Sequence, residues 1–166
     1  MPRFTVNTDR FDPYLNFKFK VMLDGQYVAG LSRCSALKRT TEVTTWYEGG
    51  DQAGPRQLPG KTKYEPITLE AGITFDRTFE AWANAVHNYQ GEAAMSLKNF
   101  RKNVNIDVFN LQGTLILRYH VYNCWVSEYQ ALPELAADGN AVMITTVRLE
   151  NEGWERDASV REEPER

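Results

Sequence analysis

A mainly β domain with one α-helix is the fold class this sequence predicts, and three observations predict it. Long stretches alternate apolar and polar residues, as in Phe17, Phe19, Val21 and Leu23 against Lys18, Lys20 and Asp24. Successive strand residues point to opposite faces, so such alternation marks a strand with one face buried. Turn formers punctuate these stretches. Asp24-Gly25 is the strongest of these signals, because both residues tolerate the positive φ of a two-residue hairpin turn. One stretch changes period: Phe79, Trp82, Ala83, Val86 and Tyr89 recur at three- and four-residue spacing, which is one face of a helix over about 76–90.

Each element follows in order. Residues 1–11 lack periodicity and read as a flexible N-terminal arm. A half-buried strand runs from Asn16 to Leu23, and Gln26 to Ala29 returns beside it. Residues 30–38 read as a connection, with Leu31, Cys34 and Leu37 turned inward. Glu42 to Tyr47 alternates again, with Val43, Thr45 and Tyr47 on one face. The run Glu48 to Gly60 is too long for a tight turn and rich in Gly and Pro, so it is expected to project as a loop. The strand signal resumes over Tyr64–Ile73, where Ile67, Leu69, Ala71 and Ile73 share a face.

For the helix, Asp76 is the expected N-cap, Glu80 sits near the positive end of the dipole, and Gly91 fits the left-handed position after the C-terminus. Residues 92–100 fit either a further helical turn or a loop. Val104, Ile106 and Val108 begin another strand, and Asn110 to Gly113 supplies a turn. On Thr114–Val126, Leu115, Leu117, Tyr119, Val121 and Trp125 share the core face, interrupted at Asn123. Trp125 is expected to anchor the core. The last strand is Ala141–Glu150. Residues 158–166 form a charged tail expected to be disordered.

Bulk properties narrow the function. The 166 residues suit one domain with its own core. A net charge of −3 offers no basic surplus for phosphates, so specific nucleic-acid recognition is not expected. The N-terminus shows no signal-peptide pattern, and no apolar run reaches membrane-spanning length. Cys34 and Cys124 are too few for a disulfide scaffold and read as buried free thiols.

Candidate chemistry is sparse. His120 and Cys124 share a strand face but stand roughly 13 Å apart at ~3.3 Å per residue, too far for a nucleophile and its base. His87 reads as a boundary residue of the helix. No nucleotide-binding glycine pattern or metal-ligand spacing is present, so neither cofactor nor metal is expected, and no catalytic residue is assigned. Trp46, Tyr47, Trp125 and Tyr129 could line a ligand pocket, which keeps a small-ligand-binding β-barrel as an alternative. Aromatic residues in strands more often serve cores or interfaces.

Several blocks carry a resemblance. They are Asp12-Pro13-Tyr14-Leu15-Asn16-Phe17, Val28-Ala29-Gly30-Leu31-Ser32, Ser35 to Val43, Glu48-Gly49-Gly50, Leu58 to Leu69, Tyr122 to Tyr129, and Leu149 to Glu155. In that order the chain resembles the inner tube proteins of contractile phage tails and phage-tail-like contractile injection systems, over residues 12–157. The resemblance implies two packed antiparallel sheets with one helix, a sandwich or barrel-like tail tube fold. It implies a structural, non-enzymatic subunit that forms hexameric rings stacked into a hollow tube, made and assembled in the bacterial cytoplasm. Partners would be copies of itself, a contractile sheath, baseplate and tail-terminator proteins, and DNA or effector cargo in the lumen. A type VI secretion ring protein of the same fold is the related alternative. Contacts between subunits and rings would fall on Trp46, Tyr47, Glu48, Gly49, Gly50, Asp51, Arg56, Leu58, Pro59, Gly60, Lys61 and Lys63.

Overall fold

The computed structural model describes residues 18–28, 30–50, 54–73, 77–87, 100–110, 113–139 and 141–160. Within them lie β1 (Lys18–Leu23), β2 (Gln26–Tyr27), β3 (Leu31–Cys34), β4 (Arg39–Trp46), β5 (Arg56–Tyr64), β6 (Ile67–Gly72), α1 (Thr78–Val86), β7 (Lys102–Phe109), β8 (Leu115–Gln130), β9 (Ile144–Glu150) and β10 (Gly153–Arg156). The body is two antiparallel sheets. One runs β2-β1-β7-β8 with β10 on the far side of β8; the other runs β8-β9-β6-β3. The 16-residue β8 belongs to both. β4 and β5 pair only with each other.

Both sheets and the helix close on one core. Val21, Leu23, Val104, Ile106 and Val121 come from the first sheet, Ile67, Leu69, Val147 and Leu149 from the second, and Phe79, Trp82 and Ala83 from α1. Trp82 is 1% exposed and its indole N–H donates to the Phe100 carbonyl at 2.6 Å, so its one polar atom is satisfied inside. The expected Asp24-Gly25 turn forms, with φ of 52° and 79°.

The shared strand bends at Asn123, whose φ is 51°. Asn123 N–H donates to Asn103 Oδ1 at 3.0 Å, and its side chain donates to Glu152 Oε2 at 2.7 Å. The β7–β8 register shifts between Lys102 and Val104, and β9 gives way to β10 at Asn151–Glu152. Three neighbouring strands therefore break at one level. The left-handed residue also shifts the alternation by one position. Val121 and Cys124 are both fully buried, whereas Trp125 is only half-buried and packs edge-on against Phe100. Trp125 is thus not the central core anchor its alternation suggests.

Other expectations are corrected locally. The presumed connection after Gly30 contains β3, so Cys34 lies on a strand. The last five residues of the presumed loop Glu48–Gly60 are strand, because β5 begins at Arg56 and ends at Tyr64. His87 is not helical: it ends α1 with an extended backbone. The expected N-cap Asp76, the helical position of Tyr89 and the capping Gly91 lie outside the described residues. Arg77 stands at the helix N-terminus without a side-chain capping bond.

Candidate assembly interface

β4 and β5 form a projecting arm. Every residue of β4 is exposed, as is every residue of β5 except Tyr64. Eight strand residues at ~3.3 Å per step make the arm about 23 Å long. Pairing runs from Arg39 with Tyr64 at the root to Trp46 with Arg56 near the tip, with a bulge where Glu42 faces the Gly60–Lys61 pair. Pro59 is tolerated because this two-stranded ribbon has no third strand wanting its N–H. Gly60 is required by crowding: a Cβ there would sit 3.1 Å from the Glu42 carbonyl and the Thr44 hydroxyl.

Paired residues share a face. Thr44, Trp46, Leu58 and Arg56 therefore lie on one side of the ribbon, and Val43, Thr45, Pro59 and Gln57 on the other. Val43, Trp46, Tyr47 and Leu58 are exposed large apolar side chains. Glu48 approaches Arg56 at 3.6 Å, and Gly49-Gly50 turns at the tip with a Gly50 φ of 93°. Lys61 and Lys63 lie on β5, Lys63 opposite Thr40. The sequence-predicted interface residues are thus gathered on one arm, apart from Asp51, which lies outside the described residues.

The arm's root is fixed to the body. Glu65 N–H donates to the Lys38 carbonyl at 2.8 Å, and Asn151 donates to the Glu65 carbonyl at 3.2 Å. Trp154 meets the Tyr64 ring edge-on at 5.9 Å, and the Arg39 guanidinium stacks over its indole. Gly153 lies against the Tyr64 ring with a φ of 144°, a conformation that side-chain-bearing residues rarely adopt.

Chemistry elsewhere reads as structural. Both His120 ring nitrogens are engaged, Nδ1 with Asn105 at 2.7 Å and Nε2 with Asp157 at 3.1 Å. Asp157 accepts from the Ser159 hydroxyl and amide, and these bonds, with His120, hold its carboxyl down at about 2. Burial pushes the Cys124 thiol up to about 12 and the Cys34 thiol to about 11, which removes both as nucleophiles at neutral pH. The fully buried Asp107 takes a bidentate pair from Arg118 at 2.8 and 3.0 Å and a Tyr27 hydroxyl at 3.0 Å. This triad ties β2, β7 and β8 together, and sequence periodicity gave no sign of it. The four aromatics of the ligand-pocket alternative do not converge: Trp46 and Tyr47 stand near the arm's tip, and Trp125 and Tyr129 lie on β8. Among the described residues, no helix is long and apolar enough to cross a membrane.

A two-sheet body whose exposed arm is held only at its root has the architecture of a structural subunit, and among its described residues the buried Asn151 Oδ1 and Trp154 Nε1, both at that root, have no hydrogen-bond partner. The chain belongs to the T4-like virus tail tube protein gp19 family, whose family model matches residues 15–155. No curated protein matches it at a significant level. A chain in the cryo-EM structure of the anti-feeding prophage baseplate superposes with a TM-score of 0.72 at 19% identity, covering 89% of this chain and 97% of that one. A chain in the sheath–tube complex of the extracellular contractile injection system PVC, in its extended state, gives 0.72 at 20% identity, covering 88% and 92%. Hcp1 from Flavobacterium johnsoniae gives 0.55 at 12% identity, covering 84% and 94%. The chain shares the tail tube fold with these structures.

Proposed function

We propose that the chain is the repeating subunit of the hollow inner tube of a contractile phage tail or contractile injection system. Residues 12–157 form its tube domain, with residues 1–11 as an N-terminal arm and 158–166 as a charged tail outside it. Copies form hexameric rings that stack inside a sheath, between baseplate and terminator proteins, assemble in the bacterial cytoplasm, and carry DNA or effector cargo through the lumen. The subunit itself performs no reaction. The observation that carries this reading is the β4–β5 arm, exposed everywhere but Tyr64, presenting Val43, Trp46, Tyr47 and Leu58 among polar residues and held at its root, in a chain of the tail tube family. A two-stranded ribbon is marginal alone in water, so neighbouring subunits supply its burial, with Trp46, Tyr47, Leu58, Pro59 and Lys61 at the contact. Negative-stain microscopy of the purified protein tests this. Rings of six-fold symmetry and tubes of constant diameter are expected; a monomer that stays monomeric at every concentration refutes it.

A further inference from the structure

A second apolar surface lies far from the arm. The connection between β8 and β9, residues 131–143, exposes Leu132, Leu135, Val142 and Met143. Ile73 stands beside them, its N–H donating to the Met143 carbonyl at 3.0 Å. Isolated exposed apolar residues need no explanation, but four on one thirteen-residue connection, with Ile73 bonded to it, single that connection out.

Its placement is informative. Sheet register fixes Gly72 opposite Ile144 and Ile67 opposite Leu149. The 131–143 segment leads into β9 at the Ile144 end, whereas the arm joins β6 at the Ile67 end through Glu65. The root of the arm and the 131–143 segment therefore leave the same strands at opposite ends, about 17 Å apart at ~3.3 Å per residue. Their charges are complementary. The 131–143 segment carries Glu134 and Asp138 and no basic residue. The arm strands carry Arg39, Arg56, Lys61 and Lys63 against Glu42, with Glu48 beyond the end of β4 paired to Arg56, so the unpaired positive charge lies at Lys61 and Lys63.

We infer that the exposed apolar residues Leu132, Leu135, Val142 and Met143 of this connection form the receiving surface for the arm of a second copy, stacked head to tail. The inference rests on the tube reading and names the surface that reading leaves open. Two unlike, complementary patches at opposite ends give a heterologous contact, which does not close and so propagates as a filament. Leu132, Leu135 and Val142 cover the arm's Trp46 and Leu58, and Glu134 and Asp138 meet Lys61 and Lys63.

The test uses the full chain. Leu135 and Val142 are 66% and 76% exposed, so Leu135→Glu with Val142→Glu leaves the melting temperature unchanged. Rings of wild-type diameter should form, while mean tube length falls roughly tenfold or more, because an unpaired charge is forced into each apolar contact. Glu134→Lys with Asp138→Lys should shorten tubes in the same way, and adding Lys61→Glu with Lys63→Glu should restore length. Wild-type-length tubes from the Leu135/Val142 variant overturn the inference and leave the tube reading standing. Loss of rings with an unchanged melt also overturns it, by placing the segment inside the ring. Failure of the wild-type chain to form either rings or tubes overturns the reading beneath it.

Discussion

In the body, β6 buries Ile67, Leu69 and Ala71 on one face and shares its edges with β3 and β9. In the arm, β4 is just as rich in β-branched and aromatic residues, yet buries none of its eight. Alternation is thus a signal of strand and not of burial. The body's strands are stabilised by apolar faces that meet within one chain. The arm's are held by their ladder and by the clamp at Trp154, which leaves their side chains exposed. Tryptophan makes the difference plain, at 1% exposed for Trp82 and 49% for Trp46.

Substitutions sharpen that comparison. The largest effect is expected from Trp82→Ala, which removes a buried ring and its bond to Phe100 and should cost about 3–5 kcal/mol in a denaturant titration. A melt close to wild type would mean that α1 is dispensable to the core. Next is Arg118→Ala, which leaves Asp107 charged and buried beside Tyr27. About 3 kcal/mol is expected, the low end for an orphaned buried charge because Arg118 is itself a quarter exposed. In the arm the same kind of change should scarcely move stability. Trp46→Ser with Leu58→Ser is expected to stay within about 0.5 kcal/mol of wild type while abolishing tubes in negative stain. A large loss of stability would show that the arm folds back on the body.

The smallest expected effect concerns pH. The Asp157 carboxyl is held at about 2, below its ordinary ~3.9. A lowered carboxylate contributes stability above its unfolded value and loses it as pH falls through its folded value. Wild type should therefore lose stability between about pH 4 and pH 2 more steeply than Asp157→Asn. Parallel curves for the two proteins would show that this turn does not couple to folding.

Much of the body was legible because alternation and helical spacing report directly on which faces are buried. Phe79, Trp82, Val21 and Leu69 fall where those periods put them. The errors have local causes. Asn123 adopts a left-handed conformation, which an asparagine does not announce, and it carries Cys124 to the core ahead of Trp125. Pro59 and Gly60 read as loop along with Gly54 and Pro55, but only the latter two lie outside β5; a free-standing ribbon with a bulge accommodates Pro59 and Gly60. The Asp107–Arg118–Tyr27 triad depends on strand order, which no single segment encodes. Val142 and Met143 continue the alternation of the last strand, expected from Ala141, yet β9 begins at Ile144 and both are exposed; Leu132 and Leu135 flank Pro133 with no period to betray them.

The root of the arm has a mechanical consequence. Trp154, held between Arg39, Tyr64 and Tyr119, together with the Lys38–Glu65 bond, makes a hinge block instead of a slack tether. A ribbon about 23 Å long magnifies the geometry of such a block. A difference of about 10° in its setting at the root displaces the tip by about 4 Å, so the packing around one indole fixes where Trp46 and Tyr47 stand.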